Sequence, residues 1–129
     1  PAVLEDRLRA NALVSQCMVV GDQKPFIAAL VTIDEEAFPS WKAAHGKPES
    51  ATIGDLADDP DLRAAIQLAI DDANKAVSKA EAIKSFKILG ADWTVESGHL
   101  TPSLKVKRNV VAETYTKDID TLYAGKPAD

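Results

Sequence analysis

The spacing of hydrophobic residues at the start of the chain predicts a helix. Leu4 and Leu8 are four residues apart and therefore share one face of a helix. Pro1 suits the first helical position, and Glu5 lies near the positive end of the helix dipole. The pattern thus predicts an opening helix over residues 1–11.

Two apolar runs follow, and the turn-forming residues between them indicate a hairpin. Residues 17–20 and 26–33 are rich in β-forming side chains, and the segment 21–25 contains Gly, Asp and Pro. The pattern becomes helical over 34–45, where Asp34 is a candidate N-cap. We therefore expect a β-hairpin followed by a helix.

The middle of the chain predicts a polar loop and then the longest helix. Residues 46–58 are polar and acidic, which is typical of a loop with at most one short turn of helix. Asp59 is a candidate N-cap, and Pro60 suits the first position of a helix over 60–79. The apolar positions of that helix keep helical spacing: Leu62, Ile66, Ala69, Ile70, Ala73 and Val77.

The last third of the chain adds one strand and one helix. Apolar and polar residues alternate over 85–89, as expected for a half-buried strand, and helical spacing returns over 109–123. Together these elements predict an α+β fold with a small, mostly antiparallel, three-stranded sheet packed with helices. Neither an internal repeat nor a second domain is evident, so residues 1–129 are expected to form one domain.

Composition and charge narrow the function classes. The chain has 129 residues, 46% of them hydrophobic and 27% charged, which is typical of a folded domain. Its net charge of -5 argues against broad attraction to nucleic acid or to anionic lipid. Nucleic-acid binding therefore ranks last among the hypotheses.

Location signals are sparse. No apolar run approaches the roughly 18 to 20 residues needed to cross a bilayer, and no basic-then-apolar leader is present. A single cysteine, Cys17, excludes an intrachain disulfide and fits a reducing cytoplasm. The chain opens on Pro1 rather than Met, which suggests a piece of a longer protein.

Most residue types that carry chemistry have ordinary structural explanations here. His45 and His99 lie in predicted loops, and Cys17 lies in an apolar strand. The acidic residues of 55–61 lack the ligand order and the central Gly of an EF-hand, so a solvated helix start is the better interpretation. We therefore expect no metal site.

Three basic residues within four positions form the one cluster that is a candidate binding site. Lys105, Lys107 and Arg108 follow Pro102 and precede a predicted helix. Such a cluster can hold phosphate oxygens, although surface lysines are so common that composition alone gives it little weight.

Longer stretches of the sequence resemble a known family. Residues 73–89 (ANKAVSKAEAIKSFKIL) and 100–108 (LTPSLKVKR) are similar to the end of AMP-forming long-chain fatty acyl-CoA synthetases, which belong to the adenylate-forming superfamily. The front is similar to the stretch after that family's Gly-rich hinge, at three places: 1–5 (PAVLE), 19–22 (VVGD) and 25–31 (PFIAALV). The resemblance covers nearly the whole chain, and its specific part is the lysine motif.

The resemblance implies a function and a site. Family members join a fatty acid to ATP, release pyrophosphate, and pass the acyl group from the adenylate to CoA. A small C-terminal lid domain swings between the two steps and supplies the adenylation lysine, which is Lys105 by position. For Lys107 and Arg108 the resemblance implies contact with phosphate or CoA, or support of the lysine motif.

The same resemblance implies partners. The large N-terminal adenylation domain, absent from these 129 residues, would hold ATP, Mg²⁺ and the acyl chain, so no cofactor is expected on this chain alone and the isolated domain is expected to be inactive. The full-length enzyme is expected in the cytoplasm, with peripheral membrane association left open. Acyl chain length and oligomeric state are not encoded in this segment.

The sequence departs from the superfamily pattern at one position, and it also fits one other interpretation. Many superfamily members place Gly directly before the lysine, whereas this chain has Leu104, as in the long-chain branch. The rival is a free-standing α+β binding or regulatory module in which Lys105 is an ordinary surface residue.

Overall fold

The computed structural model describes residues 2–124, which contain three strands and six α-helices. In chain order these are α1 (Ala2–Arg9), β1 (Val14–Val20), β2 (Ile27–Ile33), α2 (Phe38–Ala44), α3 (Ile53–Leu56), α4 (Pro60–Asn74), β3 (Ile83–Ile88), α5 (Arg108–Thr114) and α6 (Thr116–Ala124). A short 3₁₀ helix spans Lys79–Glu81. The predicted α+β class and the three strands are confirmed, while Pro1 lies outside the described residues.

The sheet is mixed rather than mostly antiparallel. Its strand order is β1-β2-β3, in which β1 pairs antiparallel with β2 as the predicted hairpin, with Cys17 opposite Val31. The β2–β3 pair is parallel, with Ala29 opposite Phe86. The difference arises because α2, α3 and α4 lie between these strands and carry the chain back before β3 begins, as in a crossover connection.

Helices cover both faces of this sheet. One face packs against α1 and α4, and its buried side chains include Val19 and Val31. The opposite face packs against α5, α6 and the segment that precedes them. This cluster, here called the second core, contains Met18 and Leu30 of the sheet together with Trp93, Leu100 and Val111. The central strand β2 is therefore buried on both sides, which explains its nearly continuous apolar sequence.

The long helix α4 begins where the sequence predicts but ends at Asn74, five residues before the predicted end at residue 79. Asp59 caps it, since its side chain accepts hydrogen bonds from the backbone N–H groups of Asp61 and Leu62. The predicted apolar face is buried from Leu62 to Ala73. The helix ends at Asn74, whose side chain donates to the carbonyl of Ile83 (3.1 Å) and accepts from its N–H (2.8 Å), so that it ties the end of α4 to the start of β3.

Two further helix boundaries differ from the sequence expectation. Asp34 does not cap α2: it accepts hydrogen bonds from Glu36 and Ala37 in a turn, and the helix begins only at Phe38. The predicted helix over 109–123 is divided into α5 and α6, because Tyr115 leaves helical geometry at φ -108° and ψ 28°. Both differences are local turns that an apolar period does not reveal.

Candidate functional site

The segment 100–106 folds into a tight turn, here called the lysine hairpin, that presents Lys105. Leu100 and Val106 form an antiparallel bridge at its base. The backbone N–H of Thr101 donates to the carbonyl of Lys105 at 2.8 Å, and the N–H of Lys105 donates to the hydroxyl of Thr101 at 3.0 Å. Both backbone groups that flank the Lys105 side chain are therefore fixed by Thr101.

Leu104 has a left-handed backbone. Its φ is +67°, although its side chain is 62% exposed and gains little from burial. An L-residue in this region costs roughly 1 to 2 kcal/mol, a cost that Gly does not carry. The turn geometry thus explains why Gly suits the position before the lysine, and it shows that Leu is accommodated there at a cost in strain.

The base of the lysine hairpin is anchored in the second core. Leu100 is buried in the cluster that contains Trp93 and Val111, and Val106 packs against the same cluster. The N–H of Lys107 donates to the carbonyl of His99 at 2.8 Å. The hairpin therefore projects from the layer of α5 and α6 as a supported structure.

Lys105 lies at the rim of an open cleft. The cleft has a volume of about 360 Å³ and is lined by Glu5, Arg9, Gln16, Leu104, Lys105, Val106 and Arg108. The Lys105 side chain is exposed, and within residues 2–124 its ammonium group has neither an ion pair nor a hydrogen bond. It can therefore reach an anion presented from outside this domain.

A buried carboxylate adjoins this cleft. Glu5 on α1 is only 4% exposed, and its side chain accepts a hydrogen bond from the N–H of Val19 at 2.7 Å. Its other oxygen pairs with the guanidinium of Arg108, which is the first residue of α5. Sequence analysis assigned Glu5 to the positive end of the helix dipole and to the family resemblance over residues 1–5, and neither pattern indicated that its side chain is buried.

The three predicted cations are therefore not gathered into one group. Lys105 and Arg108 line the cleft, whereas Lys107 is exposed and precedes α5 without capping it by its side chain. Arg108 is engaged with Glu5, and Lys105 faces solvent. Their different surroundings indicate different roles.

The remaining candidates have structural roles in this fold. Cys17 is fully buried, and this burial raises the pKa of its thiol to about 12. His45 stacks on Trp41 with ring centroids 4.4 Å apart, and His99 lies within hydrogen-bond distance of Ser97 and Thr114. None of these side chains lines the cleft beside Lys105.

The acidic stretch also serves the fold. Asp55 completes a capping box with Thr52, the N-cap of α3, and Asp59 caps α4. Lys47 bridges Asp59 and Asp61 at 3.0 and 2.7 Å. Over residues 2–124 no group of three or more His, Cys, Asp or Glu side chains is placed to hold a metal ion. In the same range, no helix is both long enough and apolar enough to span a membrane.

Comparison with known proteins identifies the domain. A family model described as "AMP-binding enzyme C-terminal domain" matches residues 1–127. The chain is 58% identical over 123 residues to the long-chain-fatty-acid–CoA ligase FadD15 of Mycobacterium tuberculosis, covering 95% of this chain and 20% of that protein. It is 33% identical to the long-chain-fatty-acid–CoA ligase ACSBG2 of Gallus gallus, covering 96% of this chain and 18% of that one.

A solved structure agrees with the fold. The adenylation domain of a carboxylate reductase from Mycobacterium chelonae matches with a TM-score of 0.71 at 27% identity, over 95% of this chain and 17% of that one. The present chain spans about one fifth of the length of the curated relatives it matches. By sequence and by structure, the chain belongs to the family of AMP-binding enzyme C-terminal domains.

Proposed function

We propose that this domain is the C-terminal part of an AMP-forming long-chain fatty acyl-CoA ligase and that Lys105 is its adenylation lysine. The observation that carries the proposal is the presentation of Lys105: a supported hairpin holds an exposed lysine whose ammonium group has no partner within residues 2–124. The names of the relatives support the ligase class and the long-chain acid.

The role of Lys105 follows from the charges of the reaction. A fatty acid carboxylate attacks the α-phosphate of ATP, so two anions meet and negative charge develops on the phosphoryl oxygens. A positioned ammonium stabilises that charge most strongly where water is excluded, as when a lid closes on the site. The exposed position of Lys105 allows a large domain to enclose it on closure.

The other two cations take supporting roles in this proposal. Arg108 holds the base of the lysine hairpin through Glu5, and Lys107 is free to contact a phosphate of CoA.

ATP and Mg²⁺ would be held chiefly by the large N-terminal domain, since the described part of this chain offers no acidic cluster for the metal. We further propose that the full-length enzyme is cytoplasmic.

The test compares the two half-reactions in the full-length protein. Lys105→Ala is expected to slow pyrophosphate release by about a hundredfold or more, the loss of about 3 to 4 kcal/mol seen when one preorganised donor is removed. Thioester formation from preformed acyl-adenylate should be retained, because that step does not use Lys105. Lys75→Ala, at an exposed lysine after α4, is the matched control and should leave both rates unchanged. If Lys105→Ala leaves pyrophosphate release unchanged, the assignment fails.

A further inference from the structure

The Glu5–Arg108 ion pair joins the two ends of the domain beside the candidate catalytic lysine. Glu5 lies in α1 and Arg108 opens α5, and the two residues are separated by 103 positions in the chain. Both residues line the same cleft as Lys105. Since Lys105 precedes Arg108 by three residues, the backbone between them can extend over at most about 10 Å. A short backbone link thus joins Arg108 to the lysine hairpin, and a shift of Arg108 can reach Lys105 through it.

Glu5 is held from two directions. Its carboxylate accepts a hydrogen bond from the N–H of Val19 on the edge strand β1 and from the guanidinium of Arg108. A buried carboxylate is unfavourable unless its oxygens are paired, so its position is set by both partners. Glu5 thereby fixes Arg108 relative to the sheet as well as to α1.

The location of Arg108 argues against a role in helix stability alone. A cation in the first turn of a helix faces the positive end of the helix dipole, which is unfavourable. Helix α5 has neither an acidic residue in its first turn nor a side-chain cap. The compensation for Arg108 comes instead from Glu5, outside the helix.

Few other polar contacts restrain this side of the lysine hairpin. Among residues 2–124, the Arg108–Glu5 pair is the one side-chain hydrogen bond between segment 100–110 and either α1 or β1. The apolar anchor Leu100 is buried away from this cleft, in the second core. Packing therefore holds one side of the hairpin, and the ion pair holds the other.

We propose that Glu5 is a positioning residue for Lys105, acting through Arg108 to hold the lysine hairpin in the orientation needed for adenylation. The inference rests on the proposed function of Lys105. It assigns to Glu5 an effect on the adenylation half-reaction and none on thioester formation, since the latter does not use Lys105.

The test uses Glu5→Gln in the full-length protein. The carboxamide keeps the size of the side chain and can still accept from Val19, but it removes the charge opposite Arg108. ATP–pyrophosphate exchange is expected to fall about tenfold or more in kcat with little change in KM, because a small misplacement of a catalytic group is costly. Arg7→Met is the matched control: it breaks an exposed ion pair between the same helix and Asp72, and both half-reactions should keep their wild-type rates.

A double-mutant cycle separates this inference from the proposed function. If Glu5 acts through Lys105, Glu5→Gln should cause no further loss of exchange in a Lys105→Ala background. Equal loss in both half-reactions, or no loss in the single Glu5 variant, overturns the positioning role while leaving Lys105 intact. If Lys105→Ala itself has no effect on exchange, the proposed function fails and the positioning role fails with it.

A second pair of variants covers the case in which Glu5→Gln does not fold. Arg108→Met is expected to lower exchange selectively, and Arg108→Lys, which restores a cation opposite Glu5, should recover part of it. Equal exchange rates in the Met and Lys variants would overturn the proposal, because the charge opposite Glu5 would then have no effect on Lys105.

Discussion

Substitution of Asn74 tests how much the hydrogen bonds between the end of α4 and the start of β3 stabilise the fold. Its side chain makes two hydrogen bonds to the backbone of Ile83, at 3.1 and 2.8 Å. Each hydrogen bond of this kind contributes roughly 0.5 to 1.5 kcal/mol net. In Asn74→Ala both are lost and both backbone groups of Ile83 lose their side-chain partner, so we expect a destabilisation of about 1 to 3 kcal/mol.

Urea unfolding of the 129-residue chain, followed by tryptophan fluorescence, measures this loss, since Trp93 is buried in the second core. Gln67→Ala is the matched control on the same helix, because its side-chain hydrogen bond to Asp71 is exposed. We expect it to change stability by less than about 0.5 kcal/mol. If the two variants unfold at the same urea concentration, the Asn74 contacts do not stabilise the fold and the reasoning is refuted.

Three further results are expected. The thiol of Cys17, whose pKa burial raises to about 12, should not react with a disulfide reagent in the native protein at mildly alkaline pH but should react fully in denaturant; native reactivity would contradict its burial. The hydrogen bond from Lys47 lowers the folded-state pKa of Asp59 from its ordinary 3.8. The ionised Asp59 therefore stabilises the folded state fully above pH 3.8, and this stabilisation is lost as the pH falls through the lowered pKa. The thermal stability advantage of the wild type over Asp59→Asn, which retains the helix cap, should therefore vanish in acid, and an advantage independent of pH would contradict the linkage. Finally, Leu104→Gly should be more stable to denaturant than Leu104→Ala by about 1 kcal/mol, since only Gly relieves the positive φ; equal stability would contradict the turn geometry.

Local periodicity predicts the parts of this fold that depend on neighbouring residues. The apolar face of α4 and the cap at Asp59 follow from spacing and from side-chain chemistry within a few positions. The direction of β3 does not, because strand pairing depends on the path of the intervening helices. The contacts of Asn74 at the end of α4 are likewise made to Ile83, nine residues further along the chain, so local spacing does not reveal them.

In the candidate site, too, some features follow from the sequence and others depend on distant contacts. Composition gave Lys105 little weight, and the resemblance to a family is what selected it among the exposed lysines. The pairing of Glu5 with Arg108 joins positions 103 residues apart, and no local pattern specifies such a contact. The left-handed backbone of Leu104 is also hidden in the sequence, since Leu seldom adopts that region.

The most direct test of the account is ATP–pyrophosphate exchange by the full-length protein carrying Lys105→Ala, measured beside thioester formation from preformed acyl-adenylate. The account predicts that exchange falls by about a hundredfold or more while thioester formation keeps the wild-type rate. Wild-type exchange in this variant, or an equal fall in both half-reactions, would contradict the claim that Lys105 serves adenylation.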